Sequence, residues 1–231
     1  MTRNVIVIGG TSGIGRAIAE GFLEAGDSVT VSGHEAACDL PGGMAQAVLD
    51  VRDGAAVADF LSGVAALDVL VNCAGVIRRG GAEFTAEGFA DVIDINLNGT
   101  QRCCIAAHGA LKAAGGCVIN TASMLTYFGS AVAPGYAASK GGIGQLTRSL
   151  AMAWAPDGIR VNALAPGWIS TALTQPLGDN AERSAAITGR TPMNRWGRPE
   201  DLVGPALFLA SPAAGFVTGA ILPVDGGYSA A

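Results

Sequence analysis

The chain predicts a doubly wound α/β fold, one parallel sheet with helices on both faces, and three observations carry that reading. Short apolar runs alternate with longer helix-like segments, the pattern of strands buried on both faces and joined by crossover helices. A glycine-rich turn follows the first run and further polar or small-residue words follow the others, which gathers them at the carboxyl ends of the strands, where such sheets bind ligands. With 231 residues, hydrophobic 50% and charged 14%, the chain can bury one substantial core but not two ordinary ones. Residues 1–231 therefore read as a single domain.

The first run, Val5 to Ile8, leads into GGTSGIG and an apolar helix from Arg16 to Ala25. Gly9, Gly13 and Gly15, with Thr11, Ser12 and Ile14 among them, would let a pyrophosphate approach the backbone and lie against a helix N-terminus. The spacing differs from the GxGxxG fingerprint, and glycines also make plain turns. The second run, Val29 to Ser32, ends at Ser32-Gly33, and Glu35 stands twenty residues beyond Gly15. An acid at that separation usually accepts the ribose hydroxyls of NAD and would repel a 2′-phosphate. Ser32 and His34 lie nearer and could instead stand beside a phosphate, so the expected cofactor is NAD with NADP as the open alternative. After the third run, Ala47 to Leu49, Asp50 and Val51 suit the rim of an adenine pocket. After the fourth, Val69 to Val71, the word Asn72-Cys73-Ala74-Gly75 is small enough for a dinucleotide to lie on backbone.

The fifth run, Val118 to Asn120, is followed by PGYAASKGG, in which Tyr136 and Lys140 stand four apart on a helix opened by Pro134. That spacing puts a phenol and an ammonium on one face. A free tyrosine titrates near ~10 and a cation within a few ångströms lowers an acid by roughly 1–3 units, which brings tyrosinate within reach of neutral pH. Tyr136 is thus a candidate general acid/base. Such a pair alone usually just supports a solvated face, but Ala137, Ala138, Ser139, Gly141 and Gly142 leave this one uncrowded. The sixth run, Ile159 to Ala163, precedes a polar, turn-rich stretch from Thr171 to Arg198 that reads either as a lid or as a surface excursion. Ile221 to Val224 is the last run.

Composition excludes several classes. A net charge of −5 and a pI near 4.9 leave no basic footprint for nucleic acid. No run approaches the ~20 apolar residues of a membrane span, and Met1 to Asn4 lead straight into the first run, so no cleavable segment is expected and the cytosol is the expected compartment. Cys38, Cys73, Cys103, Cys104 and Cys117 show no CxxC spacing and only two histidines accompany them. They read as reduced structural thiols, with no metal site.

With GGTSGIG, NCAG, INLNG, the serine of TASM, YxxxK and APGWIST in this order, the chain resembles the short-chain dehydrogenase/reductase family, in its one-domain branch, over essentially its whole length. The resemblance implies a Rossmann fold, a nicotinamide cofactor, a carbonyl/alcohol redox reaction and a homotetramer with carboxyl-terminal strands meeting across subunits. It makes Tyr136 the acid/base, supported by Lys140, Ser123 and Asn96, the last on the helix carrying Asp91 to Asn98. It also places Pro166 and Gly167 beside the nicotinamide, the Ile169 backbone at the carboxamide and Thr171 near it or the phosphates. These roles are physically coherent: Ser123 can hold the reacting oxygen opposite the tyrosine, Lys140 can bond the nicotinamide ribose, and Asn96 can order a water leading from Lys140 to solvent. On their own, Ser123 would read as a turn cap and Asn96 as a partner of buried backbone. Ile8 stands where the family often has threonine, and Cys73 replaces the second asparagine of NNAG.

AGVIRRGG, TASM, RWGRPEDL and VDGGY look most like the sugar-acid and polyol dehydrogenases of this family, such as those acting on deoxygluconate or gluconate. Arg78 or Arg79 could then bind a substrate carboxylate, or both could be a solvated pair. A 3-oxoacyl thioester reductase is the alternative, with Leu173 or Leu177 lining an apolar channel and Trp168 as a packing wall. A nucleotide sensor or scaffold that has lost catalysis is the alternative from another class.

Overall fold

In the computed structural model, which describes residues 2–231, the alternating runs become β1 (Asn4–Ile8), β2 (Ser28–Gly33), β3 (Ala45–Val48), β4 (Val69–Asn72), β5 (Cys117–Thr121), β6 (Arg160–Pro166) and β7 (Ile221–Val224). Between and after them lie α1 (Gly13–Glu24), α2 (Gly54–Ser62), α3 (Ala86–Ile93), α4 (Gly99–Ala114), α5 (Pro134–Trp154), α6 (Gln175–Gly178), α7 (Ala181–Arg190) and α8 (Val203–Leu209). The strands form one sheet in the order β3-β2-β1-β4-β5-β6-β7, and every pairing is parallel. The chain winds outward from β1 to β3 and then returns to lay β4 against β1. That reversal opens a crevice at the carboxyl ends of β1 and β4.

Side-chain alternation along each strand feeds two apolar layers. Val5 and Val7 of β1 pack with Ile18 and Phe22 of α1 and with Leu209 of α8. Ile6 and Ile8 point to the other face and meet Val57 and Leu61 of α2 and Cys104 and Leu111 of α4. Fully burying one such side chain is worth about 1.5–3 kcal/mol, so both layers hold the sheet against its helices and the strand ends in register.

Three expectations shift in detail. β3 begins and ends earlier than the Ala47 to Leu49 run, because it is a short and largely exposed edge strand, while Leu49 turns into the core beyond it. β6 starts at Arg160, one residue after Ile159, and continues to Pro166. Asn96 does not sit on a plain helix: α3 runs into a wider π turn, Asp94–Asn98, and on into α4. Such turns insert a residue into the hydrogen-bond ladder and often mark functional sites. The polar, turn-rich stretch 171–198 carries α6 and α7 between its turns.

Among the described residues no helix is long and apolar enough to cross a membrane, and none of the His, Cys, Asp and Glu side chains group as a metal site. All five cysteines are free. Burial pushes the thiols of Cys103 and Cys117 up to about 12 and about 11, which keeps them protonated and inert.

Candidate active site

A cleft of about 450 Å³ collects the segments that follow β1 to β6. Of the candidate residues, Gly9, Thr11, Ser12, Gly13, Ile14, Gly15, His34, Asp50, Val51, Ala74, Gly75, Ser123, Tyr136, Lys140, Pro166, Gly167, Ile169 and Thr171 line it. Glu35, Asn72 and Asn96 do not.

The turn after β1 fits a phosphate by the absence of side chains. Gly9 has φ +77°, and a Cβ there would stand 2.5 Å from the Ala74 nitrogen; at Gly15 it would stand 2.2 Å from the Gly9 carbonyl oxygen. Only glycine permits so close an approach of two backbone segments. Ser12 precedes α1 in extended conformation and makes no side-chain cap bond, so the first N–H groups of the helix and its dipole stay available to an anion. Thr171 reaches this turn from the far side, its Cγ2 lying 3.6 Å from where a Gly13 Cβ would be. A dinucleotide's pyrophosphate is the group these residues would hold.

The ribose and adenine side corrects two expectations. Glu35 points into solvent, its side chain 83% exposed, and the His34 ring nitrogen Nε2 stands 3.8 Å from its carboxylate. A count of twenty residues finds the position, but the turn after β2 carries the carboxylate outward. Asn72 is buried: its Nδ2 donates to Asn120 Oδ1 at 2.9 Å, and Asn120 Nδ2 donates to Thr147 Oγ1 at 3.0 Å. The side chain thus joins the sheet to α5 instead of facing the cleft. Asp50 does sit at the rim, where Arg52 holds its carboxyl below the usual range by a side-chain hydrogen bond. Arg52 also lines the cleft, and sequence reading had no signal for it.

Beyond β5 the cleft brings Tyr136, Lys140 and Ser123 together. Lys140 Nζ donates to the Thr121 carbonyl at 2.6 Å and stands 5.5 Å above the Tyr136 ring centre. Thr121, at the end of β5, was not singled out by sequence, because its anchoring atom is backbone. Lys140 is 3% exposed, and burial pushes its amine down to about 8. Burial pushes Tyr136 up to about 12, a hydrogen bond with Ser123 pulls it down, and the charge of Glu83 pushes it up further. The expectation of a phenol lowered toward neutrality is therefore reversed in the chain's own environment. Desolvating the phenolate outweighs the Ser123 hydrogen bond, so Tyr136 rests in its protonated form. Asn96 works through its neighbours: Oδ1 accepts from the Val76 N–H at 2.8 Å, and Nδ2 donates to the Val76 carbonyl and to Ser139 Oγ, each at 3.0 Å. Its backbone carbonyl accepts from Thr100 Oγ1 at 2.7 Å.

A family model described as "Enoyl-(Acyl carrier protein) reductase" matches residues 9–229. The 2-dehydro-3-deoxy-D-gluconate 5-dehydrogenase of Pseudoalteromonas atlantica is 44% identical over 96% of this chain and 94% of its own. The chain belongs to the short-chain dehydrogenase/reductase family. This short-chain dehydrogenase/reductase is similar in structure to a candidate NAD(P)-dependent gluconate 5-dehydrogenase of Beutenbergia cavernae solved with NADP at low occupancy, with TM-score 0.93, 42% identity and 99% and 97% of the two chains covered. A gluconate 5-dehydrogenase of Burkholderia cenocepacia in complex with NADP and tartrate superposes with TM-score 0.92 at 35% identity, covering 99% and 96%. A 3-oxoacyl-(acyl-carrier-protein) reductase of Chlamydia pneumoniae is 38% identical over 97% of this chain and 96% of its own. The protein is a nicotinamide-dependent oxidoreductase, and hydride transfer between the cofactor and an alcohol or carbonyl is its reaction.

Proposed function

We propose that this enzyme interconverts a secondary alcohol and a ketone on a sugar acid or polyol, with Tyr136 as the proton donor and acceptor. The observation that carries the reading is the Thr121-anchored Lys140 ammonium above the Tyr136 ring, beside Ser123 and within one cleft with the Gly9 turn. A bound nicotinamide supplies or takes the hydride. The chain handles the proton. As a carbonyl becomes an alkoxide its oxygen gains charge, which Ser123 stabilises by a hydrogen bond while the protonated Tyr136 transfers its proton. Below about pH 8 Lys140 carries its charge and favours the phenolate that this transfer leaves behind. Oxidation runs the same steps in reverse. Asn96 holds Val76 and Ser139 and so steadies both walls of the site.

For the cofactor the reading moves from NAD to NADP. The acid that favoured NAD lies outside the cleft, while His34 and Arg52 line it, and the two solved relatives described above hold NADP. Arg78 is tied to Asp91, Nε to Oδ2 at 2.7 Å. Arg78 nevertheless lines the cleft, whereas Arg79 does not; Arg79 donates to the Leu173 carbonyl at 2.5 Å, which links it to the 171–198 segment, read here as a lid, and leaves Arg78 as the arginine placed to meet a substrate carboxylate. The test is turnover of sugar acids, polyols and 3-oxoacyl thioesters with each nicotinamide. Sugar acids or polyols with NADP should dominate; preference for the thioester would select the alternative, which the exposed Leu173 at the cleft mouth would serve.

The assembly reading is a homotetramer in the cytosol. Leu202 and Leu209 lie in the chain's own core, but Phe208 and Phe216 on the carboxyl-terminal side and Met152 on α5 are exposed, and β7 is an edge strand. Exposed apolar groups beside a free sheet edge favour association. Light scattering should report four copies.

A further inference from the structure

Glu83 belongs to no expected site, yet its side chain is 1% exposed. It lies on a single 3-10 turn, Ala82–Phe84, in the loop between β4 and α3. Its Oε1 accepts from the Arg78 N–H at 2.8 Å and its Oε2 from the Tyr136 N–H at 2.8 Å. Tyr136 is the third residue of α5, and Ala133 before the helix offers no side-chain cap. Its N–H is one of the unpaired donors of a helix N-terminus, where an anion is also favoured by the dipole. No cation pairs with Glu83 among the described residues, so two backbone donors hold its charge.

This bond has a twin. Asn96 joins Val76 to Ser139, and Ser139 Oγ donates to the Tyr136 carbonyl at 2.7 Å. Two buried side chains from different elements therefore clasp the same loop, 76–78, to the same first turn of α5. The Asn96 clasp carries no charge, whereas the Glu83 clasp does.

We propose that Glu83 is a positioning residue for the reaction: its carboxylate ties the first turn of α5 to the loop after β4 and so sets where the Tyr136 phenol stands. The proposal rests on the reading of Tyr136 as the proton donor. The groups facing the phenol are Ser123 from the turn after β5, Lys140 from α5 itself and Glu83 from the β4–α3 loop. The Cys73 thiol at the end of β4 faces Lys140, and the Arg78 guanidinium is committed to Asp91 of α3. Of these, Glu83 alone is an acid, and it reaches Tyr136 through the backbone N–H.

Two variants test the idea, with NADPH affinity, kcat and the pH profile of alcohol oxidation measured for each. Glu83→Ala removes the clasp, and a phenol misplaced by about 1 Å should lower kcat on the order of 100-fold while NADPH affinity stays within about twofold. Glu83→Gln keeps the size and one acceptor but removes the charge, so the limb of the pH profile that depends on Tyr136 should move to lower pH. A purely structural role would lower the melting temperature and leave that limb in place, which overturns the proposal, as would an unchanged kcat in both variants. If Glu83→Ala does not fold, the pH profile of Glu83→Gln decides. Failure of the underlying reading looks different: Tyr136→Phe would then turn over normally whatever the Glu83 variants do.

Discussion

Around Gly9 and Gly15 the cleft is built from backbone, while around Tyr136 it is built from buried polar side chains that arrive from four separate segments: Glu83, Asn96, Ser123 and Lys140. The first half works by what is missing, since a single added methyl would collide with the Gly9 carbonyl oxygen or the Ala74 nitrogen. The second works by what is held in place: Glu83, Asn96 and Lys140 are each fastened to a backbone atom of another segment, and Ser123 to the backbone of its own turn. A backbone cradle depends on local words and is sensitive to any side chain. A side-chain cluster depends on tertiary contacts and tolerates change only where the hydrogen bonds are preserved.

The largest effect that would break this contrast is at the cradle. Gly15→Ala forces a Cβ to 2.2 Å from the Gly9 carbonyl oxygen, so the β1–α1 turn must move. NADPH binding measured by fluorescence should fall beyond detection, or the protein should fail to fold. Binding within about threefold of the parent would show that the turn is not the phosphate site.

A smaller effect separates the charged half by its titration. Lys140 in the folded chain sits at about 8, below its ordinary value of 10.5, so from about pH 8 upward the unfolded chain holds a proton that the native one has released. Stability then rises with pH across that window. Tyr136 acts oppositely, since its folded value of about 12 lies above 10.0 and stability falls with pH between those values. Urea midpoints measured from pH 8 to 10 should climb for the parent relative to Lys140→Met. Parallel curves would mean that the lysine is not desolvated.

Much of the fold was legible because strand burial writes itself as continuous apolar runs and glycine turns as local words. Tyr136 and Lys140 were legible because a helix fixes their spacing. Glu83 was not: in the segment AEFT it reads as an ordinary surface acid, and only the fold shows that it meets Tyr136 fifty-three residues later. Thr121 was hidden because its carbonyl, not its side chain, anchors Lys140. Glu35 misled because sequence separation locates a turn without saying which way its side chain faces. The phenol's acidity misled for a related reason: spacing reveals the cation but not the burial that opposes it.

Glu35 also yields the smallest expected effect. With its side chain 83% exposed, Glu35→Gln should change the NADP and NAD KM values by no more than about twofold, as surface substitutions usually do. A larger shift in favour of NADP would return this residue to the cofactor site.

The most direct test of the whole account is Tyr136→Phe, which removes one hydroxyl and keeps the ring beneath Lys140. Loss of a general acid should reduce kcat by roughly 10²–10⁴-fold with NADPH affinity unchanged. Turnover within twofold of the parent would contradict the central claim that the Tyr136 phenol carries the proton.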